Sequence, residues 1–233
     1  MSIVIAVINQ PLCCVTVDSC QTKIFDPNDP SRNQYFLDVN KIHAFNNFLI
    51  AECGNPHGFR EYWQAARGMR LDALGIEFFI ERSEEIIDIL GERWRGQYQR
   101  RWPSMSPDQL RVYSRTIALI AGYSHRDGVM LARAVSDDPI MRGEVRGNGF
   151  YIAGGSDKTT REVRDYLMNL LTGRRKMLNT RDGILRASIL AAQFAGRAER
   201  RHTGAPTIAG RIAQMIIDGP EPPLVVTKPV ARI

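Results

Sequence analysis

Residues able to do covalent chemistry gather near the start of the chain. Ser2 follows Met1, and a small side chain at position two permits removal of the methionine. Removal would leave a hydroxyl and an α-amine on one residue. An α-amine titrates near pH 8 (about 7.7–8.0), so it can take the hydroxyl proton as that residue's own general base. Asp18 closes the apolar run Val15-Thr16-Val17, and Lys41 opens another run. A carboxylate there needs a partner if buried, and an ammonium held near the hydroxyl would also favour the attacking alkoxide. Read more plainly, Asp18 and Lys41 are an ion pair closing a sheet edge. Gly54 stands between the run Phe48–Cys53 and a helical pattern. A backbone N–H at such a junction, with no side chain in the way, suits an oxyanion, although the glycine also reads as one that only allows the turn.

A second junction, Ala153-Gly154-Gly155-Ser156-Asp157-Lys158, lacks both glycine spacings that cradle nucleotide phosphates. Ser156 or Asp157 suits the helix N-cap instead. The four cysteines (Cys13, Cys14, Cys20 and Cys53) form no C-x-x-C pair, and none of the four histidines stands at ligand spacing to them. We therefore expect no metal, no cofactor, and reduced thiols in a cytoplasmic protein.

The elements that must position these residues follow from hydrophobic period. Ser2–Ile8 and Leu12–Val17 read as a β-hairpin around Asn9-Gln10-Pro11, and Asp26–Asn33 as a loop. Gln34–Val39, Lys41–Phe45 and Phe48–Cys53 are further strand candidates. Helical spacing then links Phe59, Tyr62, Trp63, Ala66 and Met69, and again Phe78, Phe79, Ile86, Ile87, Leu90 and Trp94. Strands return at Val112–Tyr123, Val129–Val135 and Gly149–Ala153. Two helices come next, from Asp157 or Lys158 to about Leu171 and from Thr180 to about Arg200, before strands at Thr207–Ile217 and Leu224–Thr227. Helices in pairs argue against a doubly wound parallel sheet. The order predicts an α+β fold, a four-layer αββα sandwich of two antiparallel sheets, in one domain over 1–233, with strands from both ends of the chain in each sheet.

Composition agrees with a packed soluble protein: 233 residues, 44 % hydrophobic and 24 % charged, with no stretch approaching 18 uncharged apolar residues. Neither a membrane span nor a secretory signal is expected. The net charge of +6 comes mostly from arginine, and only five of the 31 cations are lysines. These arginines are mixed with acids except at Arg93–Arg101 and Arg197–Arg201, so they read as solvated or subunit-facing surface rather than a nucleic-acid stripe.

Taken together, Ser2 and its strand, Val17-Asp18-Ser19, Val39-Asn40-Lys41-Ile42, Ile50-Ala51-Glu52-Cys53-Gly54, Ile120-Ala121-Gly122-Tyr123 and Ile152-Ala153-Gly154-Gly155-Ser156 resemble the proteasome β-subunit family of N-terminal nucleophile hydrolases, including the simpler bacterial peptidase subunits. The resemblance spans most of the chain. It implies Ser2 as nucleophile where the family normally has threonine, Lys41 as the pKa-lowering lysine, Asp18 as the acid that orients it, and Gly54 as the backbone oxyanion donor. The family's serine in the glycine-rich strand end falls on Gly155 unless a one-residue shift gives Ser156 its role. The family's later aspartate and serine correspond to Glu199, an approximate substitute, and Thr203. The insertion between Asp18 and Lys41 falls at Asp26–Asn33.

The resemblance further implies peptide or unfolded-protein substrates, a homo-oligomeric ring or spiral, and a separate ATP-dependent unfoldase, since this sequence has no ATP-binding motif. Two alternatives stand beside the peptidase: a non-catalytic assembly subunit, and a hydrolase of small amides.

Overall fold

The computed structural model describes residues 2–24, 29, 32–37, 39–45, 47–68, 75–173, 180–221 and 224–226. It is a mixed α+β structure with antiparallel sheets. One sheet has the order β10-β1-β2-β11-β12, from Ile3–Asn9 (β1), Leu12–Asp18 (β2), Asn148–Gly154 (β10), Ile212–Asp218 (β11) and Leu224–Val226 (β12). The other runs β5-β6-β7-β8-β9, from Ile42–Phe45 (β5), Phe48–Gly54 (β6), Thr116–Ser124 (β7), Val129–Ser136 (β8) and Gly143–Arg146 (β9). Gln21–Lys23 (β3) and Gln34–Phe36 (β4) pair separately. The helices are Pro56–Gly68 (α1), Ile76–Arg101 (α2), Pro107–Ser114 (α3), Asp157–Gly173 (α4) and Arg181–Thr203 (α5).

Why these runs become strands is visible in how successive side chains divide between cores, since neighbours on a strand point to opposite faces. In β1, Val4, Ala6 and Ile8 enter a core shared with Leu49, Ala51 and Cys53 of β6 and Ile117, Leu119 and Ala121 of β7. Their neighbours Ile3, Ile5 and Val7 join Val163 and Leu167 of α4 and Ile184, Ala191 and Ala195 of α5. The same division in β6 sends Phe48 and Ile50 toward Phe59 and Tyr62 of α1 and Phe79 and Ile87 of α2. One apolar cluster thus holds residues of both sheets, and each sheet shares a further cluster with helices. A strand buried on both faces reads as a continuous apolar run, which is why the period-two signal is absent from Ile3–Ile8.

Several expectations are corrected. Val112–Ser114 belongs to α3, not to a strand, because Ser106 and Gln109 form a capping box with Pro107 inside the first turn. Strand β7 begins only at Thr116. Among the described residues, the Gln34–Val39 run keeps a strand only over Gln34–Phe36, and Thr207–Ile217 only from Ile212. Strands β3 and β9 have no apolar alternation to announce them. Nor does each sheet draw on both chain ends: the β5–β9 sheet lies entirely within 42–146. Met1, Met69, most of Asp26–Asn33 and Thr227 lie outside the described residues. Among the described residues no helix is long and apolar enough to cross a membrane, and no group of three or more His, Cys, Asp or Glu is placed to hold a metal ion.

Close packing between α2 and the turn after β8 supplies a test. A Cβ added at Gly91 would lie 2.1 Å from the Cβ of Asp137, whereas one at Gly96 would meet only the end of Arg100 at 3.6 Å. Intrinsic helix propensity favours alanine at both sites by about 1 kcal/mol. Chemical denaturation should show Gly96→Ala stabilised by up to about 1 kcal/mol and Gly91→Ala destabilised by about 1–3 kcal/mol from overpacking.

Candidate active site

Pairing of β1 with β2 brings Asp18 beside the start of β1. Its carboxylate is fully buried, and Oδ1 accepts the N–H of Ile3 at 2.8 Å while Oδ2 accepts the N–H of Cys20 at 2.9 Å. Lys41 precedes β5 and is held by its own carbonyl, which accepts the N–H of Glu52 at 2.8 Å. Its Nζ donates to Asp18 Oδ2 at 3.2 Å, to Ser2 Oγ at 2.6 Å, and to the carbonyl of Cys20. An ammonium has three protons, and each finds an oxygen. A sheet-edge ion pair would need only the first contact. The contact with Ser2 Oγ is the additional one, and it holds positive charge where an alkoxide would form. The Ser2 hydroxyl itself donates to the Cys20 carbonyl at 3.2 Å.

The main chain of Ser2 is fixed as firmly. Its carbonyl accepts the N–H of Gly155 at 2.8 Å and the thiol of Cys53 at 3.1 Å. Gly154 makes this approach possible, since a Cβ there would lie 2.0 Å from the Ser2 carbonyl oxygen. Burial pushes the Cys53 thiol up from its ordinary value, so it acts as a neutral donor.

Gly54 ends β6 one residue beyond Cys53 with φ +94°, and a Cβ there would stand 2.3 Å from the carbonyl oxygen of Arg115. Only glycine fits. Asn55 is next in the chain and caps α1, accepting the N–H of His57 on its side chain at 3.1 Å. Gly54 and Asn55 line the same cleft as Ser2, Lys41 and Thr203, a recess with about 1020 Å³ of space including its open mouth.

Ser156 and Glu199 form a second polar cluster outside the cleft lining, joined by Thr203, which lines the cleft. Ser156 Oγ accepts the N–H of Thr159 at 3.3 Å, so it caps α4, and it donates to Glu199 Oε2 at 3.0 Å. The other oxygen of the fully buried Glu199 accepts the hydroxyl of Thr207 at 3.2 Å. Thr203 donates to the carbonyl of Glu199 at 2.9 Å. Ser156 and Glu199 are brought together, but neither lines the cleft. They support the Gly155 peptide and the Thr203–Thr207 turn.

Sequence reasoning missed Glu52, Cys53, Arg115 and Thr207, all of which line the cleft. For Glu52 there was a signal: it comes after Phe48 and Ile50 on the helix-facing side of β6, an acid where an apolar residue is expected. Burial raises its carboxyl to about 7, against the pull of Lys41 and Arg60. The other three carry no mark in the sequence, since their contacts come from elements distant in the chain.

The Glu52 shift sets a pH dependence. An acid with a raised folded-state pKa carries no penalty below the unfolded value near 4.5, and the full penalty above about 7. From pH 5 to pH 8 this group should lower stability by about 1–3 kcal/mol, allowing for water in the cleft. Urea denaturation of Glu52→Gln should show that loss removed, with the variant gaining on the parent at pH 8 and not at pH 4.5.

No protein-family model matches the chain, and no curated protein shows significant similarity to it.

Proposed function

We propose that this protein is an N-terminal nucleophile amide hydrolase of the proteasome β-subunit type, in the four-layer αββα arrangement, with Ser2 as nucleophile after Met1 is removed. The single observation that carries this reading is Lys41 Nζ at 2.6 Å from Ser2 Oγ with Asp18 behind it. Ser2 Oγ gives its proton to the freed α-amine and bonds to the substrate carbonyl carbon. Lys41 stabilises the developing alkoxide, and the Gly54 N–H takes the oxyanion. The tetrahedral centre collapses, the C–N bond breaks, and the leaving amine takes the proton from the α-ammonium. Water, deprotonated by the same amine, then cleaves the ester and frees Ser2.

The substrate in this reading is a peptide or a segment of unfolded protein. A homo-oligomeric ring or spiral in the cytoplasm, fed by a separate ATP-dependent unfoldase, completes the proposal. The second reading is a non-catalytic assembly subunit. It draws on Glu199, whose carboxylate is engaged with Ser156 and Thr207 rather than with Ser2.

Intact mass and N-terminal sequencing, with an electrophile specific for hydroxyl nucleophiles, separate the two. We expect a mature chain starting at Ser2, stoichiometric labelling, and none in Ser2→Ala. Per folded molecule, Lys41→Ala should label at least about 100-fold more slowly. Retained Met1, or labelling unchanged in Ser2→Ala, would overturn the hydrolase. A large oligomer with no labelling would support the assembly subunit.

A further inference from the structure

Arg115 joins the end of α3 to β7 and is among the largest fully buried side chains, at 2 % exposure. A guanidinium is costly to bury unless it is paired and hydrogen-bonded, so its partners are informative. Nη2 donates to the carbonyl of Gly155 at 2.8 Å. Nη1 lies 3.7 Å from Asp138 Oδ2, an ion-pair contact without a hydrogen bond, and that oxygen also accepts Arg111 Nη1 at 2.8 Å. The N–H of the same Gly155 donates to the Ser2 carbonyl at 2.8 Å. Through its side chain, Arg115 therefore grips the residue that fixes the nucleophile's main chain.

Its own main chain grips the opposite wall. The Arg115 carbonyl accepts the N–H of Asn55 at 2.7 Å and abuts Gly54 so closely that no Cβ fits between them. Ser2 stands just before β1, between β10 and β2, and Gly54 ends β6 in the other sheet. Relative motion of the sheets would change the distance between hydroxyl and oxyanion donor, and a displacement of about 1 Å can cost about 100-fold in rate.

Resting on the nucleophile reading, we propose that Arg115 is a positioning residue: its guanidinium, braced by Asp138, sets the spacing between the Ser2 hydroxyl and the Gly54 N–H. Its hydrogen bonds go to the main chain of Gly155 and Asn55 and not to Ser2 Oγ or Lys41. A lysine at this position keeps the charge but lacks the planar fork that puts one nitrogen on the Gly155 carbonyl while the other stays in ion-pair range of Asp138.

The test uses mature full-length protein and two variants, Arg115→Lys and Arg115→Gln. Turnover of fluorogenic peptides is normalised to the number of Ser2 hydroxyls titrated by the electrophile. Binding of a peptide aldehyde, which forms a tetrahedral adduct, is compared with binding of the product acid. We expect kcat per titrated site to fall by about 100-fold, aldehyde affinity to fall with it, and KM and product binding to change little. Full kcat per titrated site in both variants, even with fewer sites, would show a merely structural role and overturn the proposal. So would a loss confined to KM and product binding. If Ser2 of the parent is not labelled, the nucleophile reading fails by itself, and amide hydrogen exchange then decides the role of Arg115. Faster exchange at Gly155 and Asn55 together in a folded variant upholds the brace, and unchanged exchange overturns it.

Discussion

A lysine ammonium almost out of reach of water needs oxygen at every proton, and the half of the molecule around Ser2 is organised to meet that demand. Lys41 obtains its acceptors from Asp18, from the Cys20 carbonyl and from Ser2. Asp18 is useful to it only because β1 and β2 pair in the register that puts the carboxylate against the N–H of Ile3. Removing either charge would leave the other buried and uncompensated, a cost of about 3–5 kcal/mol in comparable pairs. The ion pair is therefore bound to the fold, while the contact of Lys41 with Ser2 Oγ is the one the proposed chemistry would use.

That centre is held from two sides. On the sheet of β1, the glycines at the end of β10 let the chain approach the Ser2 carbonyl, and Glu199 anchors Ser156 at the start of α4. On the other sheet, Cys53 reaches the same carbonyl while Gly54 turns into α1. Gly54 and Gly154 both adopt positive φ and both lack room for a side chain, Gly54 against the Arg115 carbonyl and Gly154 against the Ser2 carbonyl and the Cys53 thiol.

The parts of the site legible in the sequence were those whose chemistry is local. Ser2, Asp18, Lys41 and Gly54 each sit at the end of an apolar run, where a polar residue or glycine breaks the pattern, and the structure places Ser2, Lys41 and Gly54 at one cleft with Asp18 buried beneath and bonded to Lys41. The helix-facing and sheet-facing residues of β1, β2, β6, β7 and β8 were legible as apolar runs for the same reason. Arg115 was not, because its value lies in Gly155 and Asp138, 40 and 23 residues away. Nor was α3, an eight-residue helix whose capping box outweighs the β-leaning residues Val112 and Tyr113. Glu199, read as an approximate substitute for the family's aspartate, has its carboxylate bonded to Ser156 and Thr207, contacts that come from distant parts of the chain.

Hydrolysis by Ser2 requires one residue to carry both nucleophile and base. An electrophile able to bond successively to a hydroxyl and to the amine of the same residue tests this directly, read by mass spectrometry of the amino-terminal peptide. The predicted result is one adduct per chain, on a peptide beginning at Ser2, with hydroxyl and α-amine joined in a ring. A peptide that keeps Met1, or an adduct bonded through the hydroxyl alone, would contradict it.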